Sequence, residues 1–268
     1  MNARSALSAL LPFALTALGC DKSTSTGSSE HPGGYSSSVT GHAVEHLAPA
    51  DFKSAAERTK GLYLDVRTPE EVSRGQLPGA SSVDVNDPRF EQRVKLLDRH
   101  RAMFVYCASG GRSRAAAERL AALGFEQVFD LTGGITAWSR AGLPIVRPEN
   151  GAPPAPTTTP AAFDAAILSA RVVLVDFQTP WCGPCRELAP VMEVVEHDYA
   201  GRVTVLRVDV DSSEALATRE HIEGVPLLAL YVQGRETWRA RGVASRDAIA
   251  SQLDAALAST TPAAGERR

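Results

Sequence analysis

Short, nearly unbroken apolar runs alternate along the chain with longer stretches in which apolar residues return every three or four positions. Residues 61–66 and 102–106 form two such runs, and residues 172–177 and 203–208 form two more, rich in Val. Apolar runs of this length, bounded by polar residues, predict buried strands. Residues 113–123 carry apolar positions at helical spacing and stop at Gly124, a residue suited to ending a helix. Residues 186–197 repeat that spacing behind the third run. Strand and helix alternate in both halves, which predicts an α/β fold for each.

Three stretches lack a face to bury. Residues 6–19 are almost wholly apolar behind Arg4, yet shorter than the roughly 20 residues a membrane-spanning helix needs. They end in Thr16-Ala17-Leu18-Gly19-Cys20, followed by a Ser-, Thr- and Gly-rich tether over residues 21–40. Residues 149–160 are dense in proline and predict an extended spacer. The chain therefore divides into a leader (1–20), the tether, a module over 41–148, the spacer, a module over 161–258, and a polar tail over 259–268 that is expected to fray from Leu257 onward.

Composition adds little beyond excluding some classes. With 44% hydrophobic and 22% charged residues the chain can build cores, and a net charge of -3 gives no electrostatic case for nucleic acid. The six histidines are scattered, and a lone Cys-x-x-Cys supplies half of a structural zinc site, so no metal and no cofactor is expected.

The four cysteines change the picture, because each sits in a distinctive local sequence. Cys107 lies between a predicted strand and a predicted helix, in the loop Cys107-Ala108-Ser109-Gly110-Gly111-Arg112-Ser113. Two glycines let that backbone curl so that its N–H groups converge, and Arg112 and Arg114 add positive charge. Such a cradle stabilises a thiolate and can hold an added sulfur or an oxyanion. Cys182 and Cys185 frame Trp181-Cys182-Gly183-Pro184-Cys185 at the start of a predicted helix. The first thiol gains from the helix dipole, and the second is placed to attack a mixed disulfide.

Tyr106-Cys107-Ala108-Ser109-Gly110-Gly111-Arg112-Ser113 resembles the active-site loop of single-domain rhodaneses. Residues 64–71 and 75–80 resemble that family's upstream signature and residues 131–138 its downstream one, with Gln76 where the family usually has His. Four residues separate Cys107 from Arg112, one fewer than in cysteine phosphatases, which implies sulfur rather than phosphoryl chemistry. Residues 161–258 resemble thioredoxin. On that resemblance Val225-Pro226 is the cis-proline beside the disulfide, Asp176 the buried carboxylate that moves a proton to or from the inner cysteine, and Gly242 a glycine of the substrate groove. Gln178, Thr179 and Pro180 depart from the family's usual residues. The leader's end resembles the lipobox of bacterial lipoproteins, with Ala17 where that family prefers Leu.

Together these resemblances imply a rhodanese-like α/β domain followed by a thioredoxin-fold domain. Cys107 would carry a persulfide taken from a sulfane-sulfur donor such as thiosulfate or polysulfide, and the Cys182/Cys185 dithiol would reduce it. The alternative is a thiol–disulfide reductase acting on protein or small-molecule disulfides, with the first module as sulfur sensor or docking domain. A third reading makes both modules scaffolds. The lipobox-like end implies a lipid anchor at Cys20, or a secreted protein if the leader is a plain signal. It places the chain in the bacterial envelope, facing the periplasm, where a transmembrane dithiol reductant would be the partner.

Overall fold

The computed structural model describes residues 43–147 and 157–260. The leader with Cys20, the tether, most of the spacer and the end of the tail lie outside the described residues. The first module runs β1 (Glu45–Leu47), α1 (Pro49–Thr59), β2 (Leu62–Asp65), α2 (Pro69–Val72) and β3 (Ser81–Ser82). It continues through α3 (Phe90–Val94), β4 (Met103–Tyr106), α4 (Gly111–Ala122), β5 (Val128–Leu131) and α5 (Gly134–Arg140). Its five strands pair in the order β1-β5-β4-β2-β3, all parallel.

Both faces of this sheet are covered, as an all-parallel sheet requires. Leu62, Leu64, Met103 and Val105 pack on one side with Phe90 and Leu120. Phe104 and Tyr106, one residue out of phase, pack on the other with Phe52 and Trp138. The alternation follows from the two-residue period of the strand. Edge strands β1 and β3 are short and polar, and no apolar pattern announces them.

The second module runs α6 (Pro160–Leu168), β6 (Val172–Gln178), α7 (Gly183–Asp198), β7 (Thr204–Asp209) and α8 (Glu214–Arg219). It ends with β8 (Leu227–Val232), β9 (Arg235–Arg241) and α9 (Arg246–Thr260). The sheet order is β7-β6-β8-β9, with β6 and β7 parallel and the other pairs antiparallel. Val172, Leu174, Leu228 and Leu230 face α7 and α9, while Val173, Val175, Leu227 and Ala229 face Phe163 of α6 and Leu216 of α8.

Element boundaries differ from the periodicity in three places. α4 starts at Gly111 and α7 at Gly183, both ahead of their apolar repeats. Gly110 in the left-handed region and the Cys182 sulfur supply the caps that hydrophobic spacing does not reveal. α6 starts at Pro160, with the Thr159 hydroxyl accepting the Ala162 N–H. The C-terminal helix also corrects the fraying expected after Leu257, since α9 stays helical through Thr260. There the Ser259 and Thr260 hydroxyls donate to the carbonyls of Ala256 and Leu257, and the Arg171 guanidinium donates to that of Thr260. The two sheets belong to one compact unit.

Candidate functional site

β4 delivers Cys107 to the carboxyl edge of the first sheet, where parallel strands leave room for a ligand. Only 1% of Cys107 is exposed. Gly110 takes a φ of 100°, and the turn it makes aims its N–H at the Cys107 sulfur at 3.1 Å. Burial pushes the thiol up. The Ser113 hydroxyl and the N–H groups of Ser113, Ser109 and Gly110 together outweigh that burial and hold its pKa below the usual thiol value. Ile135 N–H donates to the Cys107 carbonyl at 2.9 Å and Thr136 N–H to that of Ala108 at 3.2 Å, so the start of α5 pins the loop.

The structure brings further groups to this loop that sequence reasoning gave no role. Arg112 does not stand as a free charge beside the thiol, because Glu71 takes its guanidinium in two bonds of 2.6 and 2.7 Å. The Arg112 guanidinium pushes the Glu71 carboxyl down to about 2. Glu71 also accepts the Thr68 N–H, and the Thr68 hydroxyl accepts its own, so the clamp is fixed at its root. The spacing Thr68-x-x-Glu71 was the available signal. Behind the loop, buried Ser113 donates to Asp130 at 2.6 Å, and Asp130 meets the His46 ring at 2.9 Å. Parallel pairing of β1, β5 and β4 sets Asp130 beside both His46 and Val105.

In the second module β6 leads to Cys182, which caps α7. Its sulfur accepts the Cys185 N–H at 3.1 Å, and the two cysteines are joined as a disulfide. Pro184 sits in the first turn of α7, where its missing N–H costs nothing. The Val225–Pro226 bond is cis, and the Gly242 N–H donates to the Pro226 carbonyl at 2.9 Å. Trp181 packs against two cores at once, the one that contains Cys107 and the one that contains Cys182 and Cys185.

Comparison with known proteins agrees with this geometry. The rhodanese-like domain family matches residues 48–141 and the thioredoxin family residues 155–255. Thioredoxin C-2 of Corynebacterium nephridii is 39% identical over 98 residues, which is 36% of this chain and 91% of that protein. The chain belongs to the thioredoxin family. It carries a rhodanese-like domain ahead of the thioredoxin domain. Thioredoxin 1 of Synechococcus elongatus is 34% identical over 37% of this chain and 94% of its own length. A solved thioredoxin variant from Halobacterium salinarum is 31% identical, covering 38% of this chain and 88% of that one, with a TM-score of 0.35.

Asp176 lies in the middle strand of the thioredoxin domain, 3% exposed, and its Oδ1 has no hydrogen-bond partner among the described residues. Burial raises its carboxyl to about 6 from 3.8, against a smaller downward pull from Arg207. The unfolded chain therefore holds fewer protons between those two values, and stability falls as pH rises through that window. A shift of this size corresponds to ~3 kcal/mol. Asp176→Asn is expected to raise stability by up to that amount above the window and to change little below it. Denaturant unfolding of the oxidised protein at about pH 4 and about pH 8 checks this, and an equal change at both would refute it.

Proposed function

We propose that this chain is a sulfurtransferase whose sulfur cargo is reduced within the same polypeptide. Its rhodanese-like and thioredoxin domains support sulfur transfer and thiol–disulfide exchange in general. The coupling rests on Trp181, which bridges the core around Cys107 and the core around the disulfide. In the first step the Cys107 thiolate attacks the sulfane sulfur of a donor such as thiosulfate. The donor's S–S bond breaks, sulfite leaves with the electron pair, and Cys107 holds a persulfide.

Reduced Cys182 then attacks the outer sulfur, which passes to it and frees the Cys107 thiolate. Cys185 attacks the Cys182 sulfur, closing the disulfide and releasing hydrosulfide. Two electrons from the dithiol end on the sulfur atom. Asp176, below the centre, is the group placed to take the Cys185 proton. An external dithiol must restore the pair. The leader ending at Cys20 supports a place in the bacterial envelope, anchored through that residue, where a transmembrane dithiol carrier would supply those electrons.

The test is sulfide release from thiosulfate by protein reduced in advance with a stoichiometric dithiol. Cys182→Ser is expected to stop release and to leave the persulfide on Cys107, detected as one added sulfur by mass spectrometry. Release at the wild-type rate would show that the modules do not exchange sulfur.

A further inference from the structure

The second module meets the first with the surface that carries its disulfide. Ser82 N–H donates to the Trp181 carbonyl at 3.0 Å, so edge strand β3 pairs with the residue before Cys182. Gly183 N–H donates to the Ser81 hydroxyl at 2.8 Å, and the Arg186 guanidinium donates to the Ala80 carbonyl. On the other side of the disulfide, Val225 N–H donates to the Leu96 carbonyl at 3.0 Å, and Leu96 packs on the core that holds both cysteines. Gly183 has no room for a side chain, because a Cβ there would run into the Gly79 carbonyl and lie 3.1 Å from the Ser81 nitrogen. Cys182 is left with no exposed surface.

At the rim of this seam Arg93 bridges the modules. Its guanidinium donates to Asp211 at 2.7 and 3.0 Å and to Asp87 at 2.6 Å, and its side chain is 15% exposed. A partly buried guanidinium held by two carboxylates is a stronger tie than a surface pair. A cavity of about 820 Å³ runs along the same seam, lined in part by Leu96, Pro184, Val225 and Pro226. That volume holds a small molecule and not a folded protein.

We infer that the first module closes the redox centre to macromolecular disulfides. Residues 79–82 and Leu96 occupy the surface a protein client would need, and the Arg93 tie to Asp87 and Asp211 holds them there. Exchange requires a thiolate to approach a disulfide sulfur directly, so its rate depends on access. Small disulfides arrive through the seam cavity with a local fluctuation, whereas a protein disulfide needs the modules to part. The inference rests on the reading of Cys182 and Cys185 as a working dithiol, and it names the substrate class of that centre: internal sulfur and small disulfides.

The experiment uses the full chain, reduced and freed of reductant, and compares insulin with hydroxyethyl disulfide as oxidants. Wild type is expected to reduce the small disulfide and to reduce insulin slowly. Arg93→Ala is expected to speed insulin reduction by on the order of tenfold while leaving the small disulfide within about twofold. Equal insulin rates for the two proteins would overturn the inference. A second measurement needs no variant: in reduced wild type, N-ethylmaleimide is expected to label Cys182 and a polyethylene-glycol maleimide to fail. Labelling by both at one rate would overturn it equally. Failure of wild type and variant alike to reduce hydroxyethyl disulfide would sink the dithiol reading, and the inference with it.

Discussion

Gly134→Ala is expected to abolish sulfur uptake by Cys107, although the substitution adds one methyl group and touches no reacting atom. Gly134 opens α5 with a φ of 59°, in the left-handed region that disfavours every side chain. The larger problem is space. A Cβ at this position would meet the Cys107 carbonyl and lie 2.6 Å from the Ala108 carbonyl carbon. Both are backbone atoms of the active loop, so the loop must move to make room. Moving it breaks the bonds from Ile135 and Thr136 that pin it and turns the Gly110 N–H away from the sulfur.

A displacement of about 1 Å at a reacting centre is worth on the order of a hundredfold in rate. Overpacking and the strained backbone together cost roughly 3 kcal/mol of stability. Thiosulfate-dependent persulfide formation, followed by mass spectrometry, reads the first effect, and denaturant unfolding reads the second. Gly124→Ala is the control: its φ of 88° is equally unfavourable, but nothing lies within 4 Å of the added atom. That variant is expected to lose ~1 kcal/mol and keep its sulfur uptake. Normal uptake by Gly134→Ala would mean that the loop is softer than its packing implies.

Asp65→Ala carries the second large effect. Asp65 is fully buried at the end of β2, and the Arg67 guanidinium grips it with bonds of 2.6, 2.9 and 3.1 Å. Without the carboxylate, Arg67 stays 6% exposed with the Gly75 carbonyl as its remaining acceptor at 2.6 Å. Leaving a buried charge unpaired costs roughly 3–5 kcal/mol, far more than the intact pair contributes over an apolar one. Removing both charges, with Asp65→Leu and Arg67→Met together, is therefore expected to recover much of the loss. Unfolding midpoints of the single and double variants decide the point; a double variant as unstable as the single would show that the pair is worth keeping for its own sake.

What the sequence displayed and what it hid divide along physical lines. The strands ending at Cys107 and leading to Cys182 are legible because burial on both faces demands continuous apolar residues. The cysteines themselves are legible because reactive thiols need a strand-to-helix turn, and glycine and proline mark such turns. Strand β3 is hidden, since two serines carry no period. The Arg112 clamp is hidden for another reason: Glu71 is 41 residues away, and only the parallel pairing of β2 with β4 brings them together. Gln76 was discounted as a departure from pattern. It is buried, accepts the Ser82 hydroxyl at 3.0 Å, and so steadies the strand that meets the disulfide.

The seam between the modules has a consequence for how such a protein diverges. Its bonds run largely through main-chain atoms: the nitrogens of Ser82, Gly183 and Val225 and the carbonyls of Ala80, Leu96 and Trp181. Main-chain groups are the same whatever residue carries them, so substitutions on one side call for no matching substitution on the other. Descendants of this chain can drift at most of these positions and keep the join, and paired changes between the halves will be sparse. What must be inherited is loop length and the bare glycine at 183. One inserted residue in either loop would do what many replacements would not, and uncouple two enzymes that otherwise travel as one.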